Sequence, residues 1–228
     1  MTLSEAGSSQ ANRALPPRRM ARQSTDLVEI IRSMIVSFEL PPGAVVGESQ
    51  LAKQLGVGRT PLREALLVLA QEYLIKQIPG MGSTVAGLDI ADYALISECQ
   101  EGLEPFAARL AAARITEAEL EGVESILNAE RSAAEAGDVD QAALLNLRFH
   151  EAVLAATQNK YLQDAAMRLN RYSVRFWRFA YVRGVPMMPS IGEHERILEA
   201  LRSHSPDEAE RVASDHWHNA LGRLWADV

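Results

Sequence analysis

Two groups of residues in this chain combine side-chain type with a spacing that supports chemistry. Arg59 and Arg63 lie four residues apart, so on a helix they project from one face, with Thr60 beside them. A planar, permanently charged guanidinium carries a fork of donors that matches the acceptor edge of guanine in a DNA major groove. The second group is His150, His194 and His216 with the amide of Asn146. Asn146 and His150 share an apolar stripe with Ala143, Val153 and Leu154. His194 falls with Ile191, Leu198 and Leu201, and His216 with Ala209, Val212, Ala213 and Ala220. Three imidazoles turned into one helical core are costly unless each finds a partner. A single divalent ion satisfies all three, and imidazole suits Zn, Ni, Cu or Fe. Taken singly, these arginines read as surface charges and these histidines as hydrogen-bonded core or surface residues; only the groupings point to DNA and to a metal. His218, on the face with Arg211 and Asp215, and His204, in the turn before Pro206, read as solvated.

The elements that must hold the arginines are legible around them. Leu27, Ile30, Ile31, Met34, Ile35 and Phe38 recur at helical spacing, predicting an amphipathic first helix that Pro41-Pro42-Gly43 ends. A second helix runs up to a tight turn at Gly56. A third helix follows, with Leu62, Ala65, Leu66 and Leu69 inward and Arg59, Thr60 and Arg63 outward. A short turn holding one helix across another is a helix-turn-helix. Beyond it, Leu74–Ile78 and Ser83–Ala86 alternate like two short strands around Pro79-Gly80-Met81-Gly82. That is a wing, whose glycine tip can approach a phosphate or the minor groove closely. The plainer alternative is a generic three-helix module with surface arginines.

The histidines require a different frame. From Asp89 onward no strand pattern occurs, and six helices are predicted over 89–114, 116–136, 138–157, 160–183, 190–203 and 206–225. Gly137-Asp138, Asn159, Gly184 with Pro186 and Pro189, and Ser205-Pro206 mark the breaks. Antiparallel helices joined by short turns make a bundle that can enclose a ligand cavity. The fold class is therefore mainly α: a winged helix-turn-helix of three helices and a hairpin, then an all-α bundle of six to seven helices. Its domains are a flexible N-terminal arm over 1–23, a DNA-binding domain over 24–88 and an effector-binding, dimerising domain over 89–228.

Charge supports the division. The chain of 228 residues carries −7 overall, yet residues 1–88 hold 9 Lys and Arg against 7 Asp and Glu, while residues 89–228 hold 14 against 23. A net of +2 followed by −9 argues for two domains with different partners and confines DNA contact to the first. With 47% hydrophobic residues both halves can build cores. No apolar run approaches the roughly 18–20 residues that span a bilayer. The arm is rich in Ser, Ala and Arg, without a signal-peptide core, and its arginines would add weak, salt-sensitive DNA affinity at most. Cys99 is the only cysteine, so no internal disulfide forms; a reducing cytoplasm fits, and a buried apolar thiol is expected.

Residues 24–86 resemble the winged-helix domain of the GntR family of bacterial transcription regulators. The resemblance rests on Leu51-Ala52, the segment Val57-Gly58-Arg59-Thr60-Pro61-Leu62-Arg63-Glu64-Ala65-Leu66, and the wing Gly80-Met81-Gly82-Ser83-Thr84-Val85. It implies that Arg59 and Arg63 read bases, Thr60 bonds a phosphate and Gly82 enters the minor groove. Two positions depart from the family pattern: Gly58 stands where Ser is usual, costing a few tenths of a kcal/mol of capping, and Tyr73 stands where Gly is usual. Residues 92–224 resemble, more loosely, the FCD effector domain of the FadR subfamily. The landmarks are Leu103-Glu104, Asn146 through His150, Asn159, Glu193-His194 and His216. That resemblance implies a divalent metal held by an acidic residue and three histidines, which helps bind a small carboxylate effector. Asn146 occupies the acidic position without its charge. Gln100 occupies the place of an arginine that clamps the carboxylate, which leaves two options. The ligand is less acidic, or another arginine takes over, Arg175 and Arg178 being candidates within the row Arg168, Arg171, Arg175, Arg178. That row also reads as a solvated basic face paired with acidic neighbours.

Together these features predict a homodimer that presents two winged helices to a pseudo-palindromic operator. A small organic or sugar acid, bound with a divalent ion such as Zn or Ni, would change operator affinity by about 1–3 kcal/mol. One rival is a metal-free regulator whose histidines only line the pocket. The other is a metalloenzyme with a DNA-binding appendage, against which no His-Glu-x-x-His sequence occurs.

Overall fold

The computed structural model describes residues 17–80 and 82–226. Helix α1 runs Pro17–Val36, α2 Glu48–Gln54 and α3 Arg59–Gln71; strands β1, Ile75–Ile78, and β2, Gly82–Val85, follow. Residues 17–23, expected in the flexible arm, thus belong to α1, while 1–16 of that arm and Met81 at the wing tip lie outside the described residues. Leu27, Val28, Ile31, Met34 and Ile35 of α1 pack with Leu51, Ala52, Leu62, Ala65, Leu66 and Leu69 into the first core. Ile30 and Phe38 depart from the expected inward stripe: Ile30 is half-exposed, and α1 ends two residues before Phe38, which sits half-buried at φ +59°.

Gly56, at φ +66°, supplies the left-handed turn between α2 and α3 that a side chain would resist. Gly58 caps α3 without any side-chain bond, as its lack of a hydroxyl dictates. β1 and β2 form an antiparallel hairpin in the register Ile75–Val85 to Ile78–Gly82. The segment before α2 joins the same hairpin: Val45 bridges Thr84, and the Val46 amide donates to the Ser83 carbonyl at 2.8 Å.

Six helices make the second unit: α4 Ile90–Arg114, α5 Glu117–Glu135, α6 Val139–Ala156, α7 Lys160–Val182, α8 Met188–Arg202 and α9 Pro206–Ala226. Each predicted break precedes a helix start, and two of them, Asp138 and Asn159, carry side-chain caps, whereas Met187 before α8 has none. Asp138 accepts from the Gln141 amide, Asn159 from those of Tyr161 and Leu162, and Thr116 forms a capping box with Glu119. Alanines 108, 111 and 112 of α4 let α9 approach closely. Around them Leu120, Val123, Leu127, Phe149, Val153, Ile197 and Leu201 close the core. No helix of the described residues is long and apolar enough to cross a membrane. Cys99 is exposed on α4, not buried: position 99 falls on the outward side of that helix, with Leu95.

The two units meet along α6 and α7. Glu72, buried at the C-cap of α3, accepts from Arg32 of α1 through two 2.9 Å bonds and from Arg171 of α7 at 2.7 Å. Val36 packs against Ala143, Leu147 and Val174. Phe38 lies under the Arg178 guanidinium at 4.2 Å.

Candidate functional site

The face expected to read DNA lies on the first two turns of α3. Its inward positions are fully buried, which fixes the helix roll and leaves Arg59, Thr60 and Arg63 exposed together. Arg63 donates to the Glu48 carboxylate of α2 at 2.7 Å, with 64% of its side chain exposed. A base edge that reaches Arg63 would have to displace that carboxylate, and in exposed surroundings this costs little. Gly82 opens β2 opposite Ile78 at φ +84°, a conformation that glycine adopts freely.

The three histidines, from α6, α8 and α9, converge. One ligand atom from each of His150, His194 and His216 lies within 4.8 Å of the others, and all three residues are buried. The His194 and His216 rings are 4.7 Å apart, and Phe149 stacks on His194 at 4.2 Å, fixing its plane. Each Nδ1 faces a carboxylate from a different helix. For His216 it is Glu193 at 2.9 Å, for His194 Glu130 at 3.1 Å and for His150 Glu104 at 3.5 Å. A carboxylate on one ring nitrogen sets the tautomer that leaves the other as a lone-pair donor. His194 Nε2 is buried with no hydrogen-bond partner. Burial pushes His216 down to about 3, the nearby histidines adding to the effect and Glu193 opposing it, so the ring is neutral, as a ligand must be. Burial would raise Glu193, but the paired bonds from Arg223, at 2.7 and 2.8 Å, and that of His216 hold it at about 2. An orphaned buried nitrogen, a neutral His216 ring and Nδ1 atoms oriented by carboxylates fit a divalent cation. Asn146 touches the same cluster: its amide nitrogen donates at 3.2 Å to Glu130, the carboxylate that also faces His194.

Glu130 is absent from the sequence-based candidates. Its signal was its place on the otherwise apolar stripe Leu120, Val123, Leu127, Glu130, Ala133 of α5. The same holds for Asn170 and Ser173 on α7. Asn170 donates to Glu104 at 2.8 Å and so steadies the carboxylate behind His150.

Of the residues expected to bind an effector, Gln100 lies close to the histidines and Arg175 and Arg178 lie away from them. Gln100 is buried behind the histidines, its amide donating to Asn170 at 2.6 Å and Ser173 at 3.1 Å. Arg175 is wholly buried at the domain linker, donating to the carbonyls of Ala86 at 2.8 Å and Gly87 at 3.2 Å; burial lowers it to about 10. Arg178 pairs with Asp140 at 2.5 Å, and Arg168 with Asp164. Neither Arg175 nor Arg178 lines the cavity beside the histidines, because their positions on α7 face the linker and α1 rather than α9. That cavity, of about 10 Å³, is bordered by Asn146, His150, His216, Asn170, Ser173 and Trp177. A second of about 10 Å³ lies across His150 and His216, bordered by Glu104 and Trp217. Outside the site, His218 and His204 are exposed, His204 Nδ1 lying 2.9 Å from the Ala112 carbonyl.

Residues 23–85 match the family model for bacterial regulatory proteins of the gntR family, and residues 95–219 that for the FCD domain. The chain is 29% identical over 192 residues to the HTH-type transcriptional repressor RspR of Escherichia coli (strain K12), covering 83% of both chains. It is 30% identical over 203 residues to the probable D-xylose utilization operon transcriptional repressor of Paenarthrobacter nicotinovorans, covering 87% of this chain and 88% of that one. Its fold is similar to that of E. coli McbR/YncC, with a TM-score of 0.78 at 22% identity over 89% of this chain and 97% of the other.

Proposed function

Starting from a chain that belongs to the GntR family of transcription regulators and carries an FCD domain, we propose that its regulatory site is a divalent metal centre. His150, His194 and His216, with the Asn146 oxygen, hold the ion. The observation that carries this reading is the buried, unpartnered His194 Nε2 inside a cluster whose three Nδ1 atoms each face a carboxylate. When bound, the ion supplies a fixed double positive charge that cross-links α6, α8 and α9. Arg59 and Arg63 read base edges, Thr60 bonds a phosphate and Gly82 lies at the minor groove. A homodimer joined through the helical domain presents two such faces to a pseudo-palindromic double-stranded operator. The metalloenzyme alternative falls away, since the family and the relatives are regulators.

A calorimetric metal titration of the chelated wild type and His194→Ala tests the centre. The expected result is close to one ion per chain in the wild type and none in the variant, with operator binding of the chelated proteins alike. Equal metal binding in both would remove His194 from the site and leave the histidines as pocket lining. A second reading, in which the ion is a platform for an organic or sugar acid, draws on the gluconate and galactonate operons named for relatives in Bacillus licheniformis and Escherichia coli (strain K12).

A further inference from the structure

The geometry points to the divalent ion itself as the signal, loaded reversibly at the three histidines and relayed to the DNA-binding domain by α7. This rests on the metal-centre reading and goes beyond it in making the ion the regulated ligand, not a resident part of the domain.

Charge supports it first. The charged groups on or beside the histidines are Glu104, Glu130, Glu193 and Arg223, a formal balance of −2 that one divalent cation cancels. Among the described residues bordering the two cavities, no arginine or lysine remains to receive an anion. Every arginine on α7 that could have served is engaged elsewhere, and Arg223 is held by both oxygens of Glu193. Space agrees: each cavity has room for about one water-sized occupant, which suits an ion. The donor set also favours exchange over permanent retention. Asn146 offers a neutral oxygen, and the negative charge has moved back to Glu130, which touches both Asn146 and His194 but lies behind them.

Helix α7 provides the relay. On one side Asn170 holds Glu104, and Glu104 backs His150. On the other, Arg171 grips Glu72 at the end of the recognition helix, and Arg175 grips the linker carbonyls of Ala86 and Gly87. A shift of His150 on loading therefore acts on a helix already bonded to both the recognition helix and the linker.

The test uses the full chain and a DNA duplex recovered from random sequence by the protein itself, chelated or loaded with Zn, Ni or Mn and without any organic acid. Metal affinity comes from calorimetry and operator affinity from fluorescence anisotropy. Metal alone is expected to change operator affinity at least about fivefold. Glu130→Gln should weaken metal binding by about 10–100-fold and raise the half-response metal concentration by the same factor. Asn146→Asp tests the same linkage with a charged ligand: whatever its effect on metal affinity, the half-response must follow. Stoichiometric metal with no change in operator affinity, or a half-response that ignores metal affinity, would overturn the inference and leave the ion a resident cofactor. A change appearing only when a sugar or organic acid is added to the loaded protein would overturn it in favour of the acid. Absence of metal binding would instead remove the metal centre, and the inference with it.

Discussion

Arg63 and His194 sit in the two halves of one chain and represent opposite ways of placing a polar group. The Arg63 side chain is 64% exposed and its partner Glu48 is a neighbour on the adjoining helix. His194 has no exposed surface and depends on Glu130, 64 residues away, and on the ring of Phe149. An exposed charge stays hydrated, so its position follows from the roll of its own helix. A buried imidazole must have its partners delivered by other elements, because an unpaired polar group in a core costs about 1–3 kcal/mol. The winged helix is thus a surface carried by a simple apolar core, whereas the helical domain encloses a polar centre that the whole bundle must satisfy.

The link between the halves offers the hardest blow to this contrast. Glu72→Ala leaves the buried Arg32 and the half-buried Arg171 without their shared carboxylate, with only Glu29 and Glu151 still reaching them, and is expected to destabilise the chain by about 3 kcal/mol in urea unfolding. A loss below about 1 kcal/mol would mean that the domains do not depend on this contact.

On the exposed side, Arg63→Ala should cost about 1–3 kcal/mol of operator affinity and relax discrimination at one base pair, with the unfolding midpoint unchanged. Equal loss on random and selected DNA would reassign Arg63 to a phosphate.

A smaller effect sharpens the reading of the turn into the wing. Tyr73 adopts φ +60°, in the region where a bulky side chain is strained, and it is half-exposed. Tyr73→Gly should therefore stabilise the protein by roughly 1 kcal/mol or leave it unchanged once the added freedom of the unfolded chain is counted. Destabilisation would show that the ring contributes packing.

Acid should affect the two halves unequally. With His216 lowered to about 3 from 6.5, the unfolded chain takes up a proton that the folded one refuses. The metal-free protein then has its full stability above pH 6.5 and loses it as pH falls toward 3. Glu193, lowered from 4.5 to about 2, adds loss of the same sign further down. Melting temperature against pH for the chelated protein measures this, and His216→Gln should flatten the upper part of the curve.

Much of this molecule was written locally. Periodicity and breaker residues located all the helices of the second half to within a few residues, since caps such as Asp138 and Asn159 act on amides two or three positions away. The inward stripe of α3 likewise determined which face Arg59 and Arg63 occupy. Helical phase also turned His150, His194 and His216 inward, which was enough to suggest a metal. What the tertiary structure decided was pairing. Glu130 and Asn170 show in sequence only as polar residues on apolar stripes and Glu104 only as a family landmark; they become the supports of the histidines because α4, α5 and α7 pack around α6 and α8. The same packing sent Arg175 to the linker and Arg178 to Asp140, where spacing alone had left them free to clamp a ligand. Periodicity sets the direction in which a side chain leaves its own helix, whereas its partners depend on how far and at what roll the neighbouring helices settle.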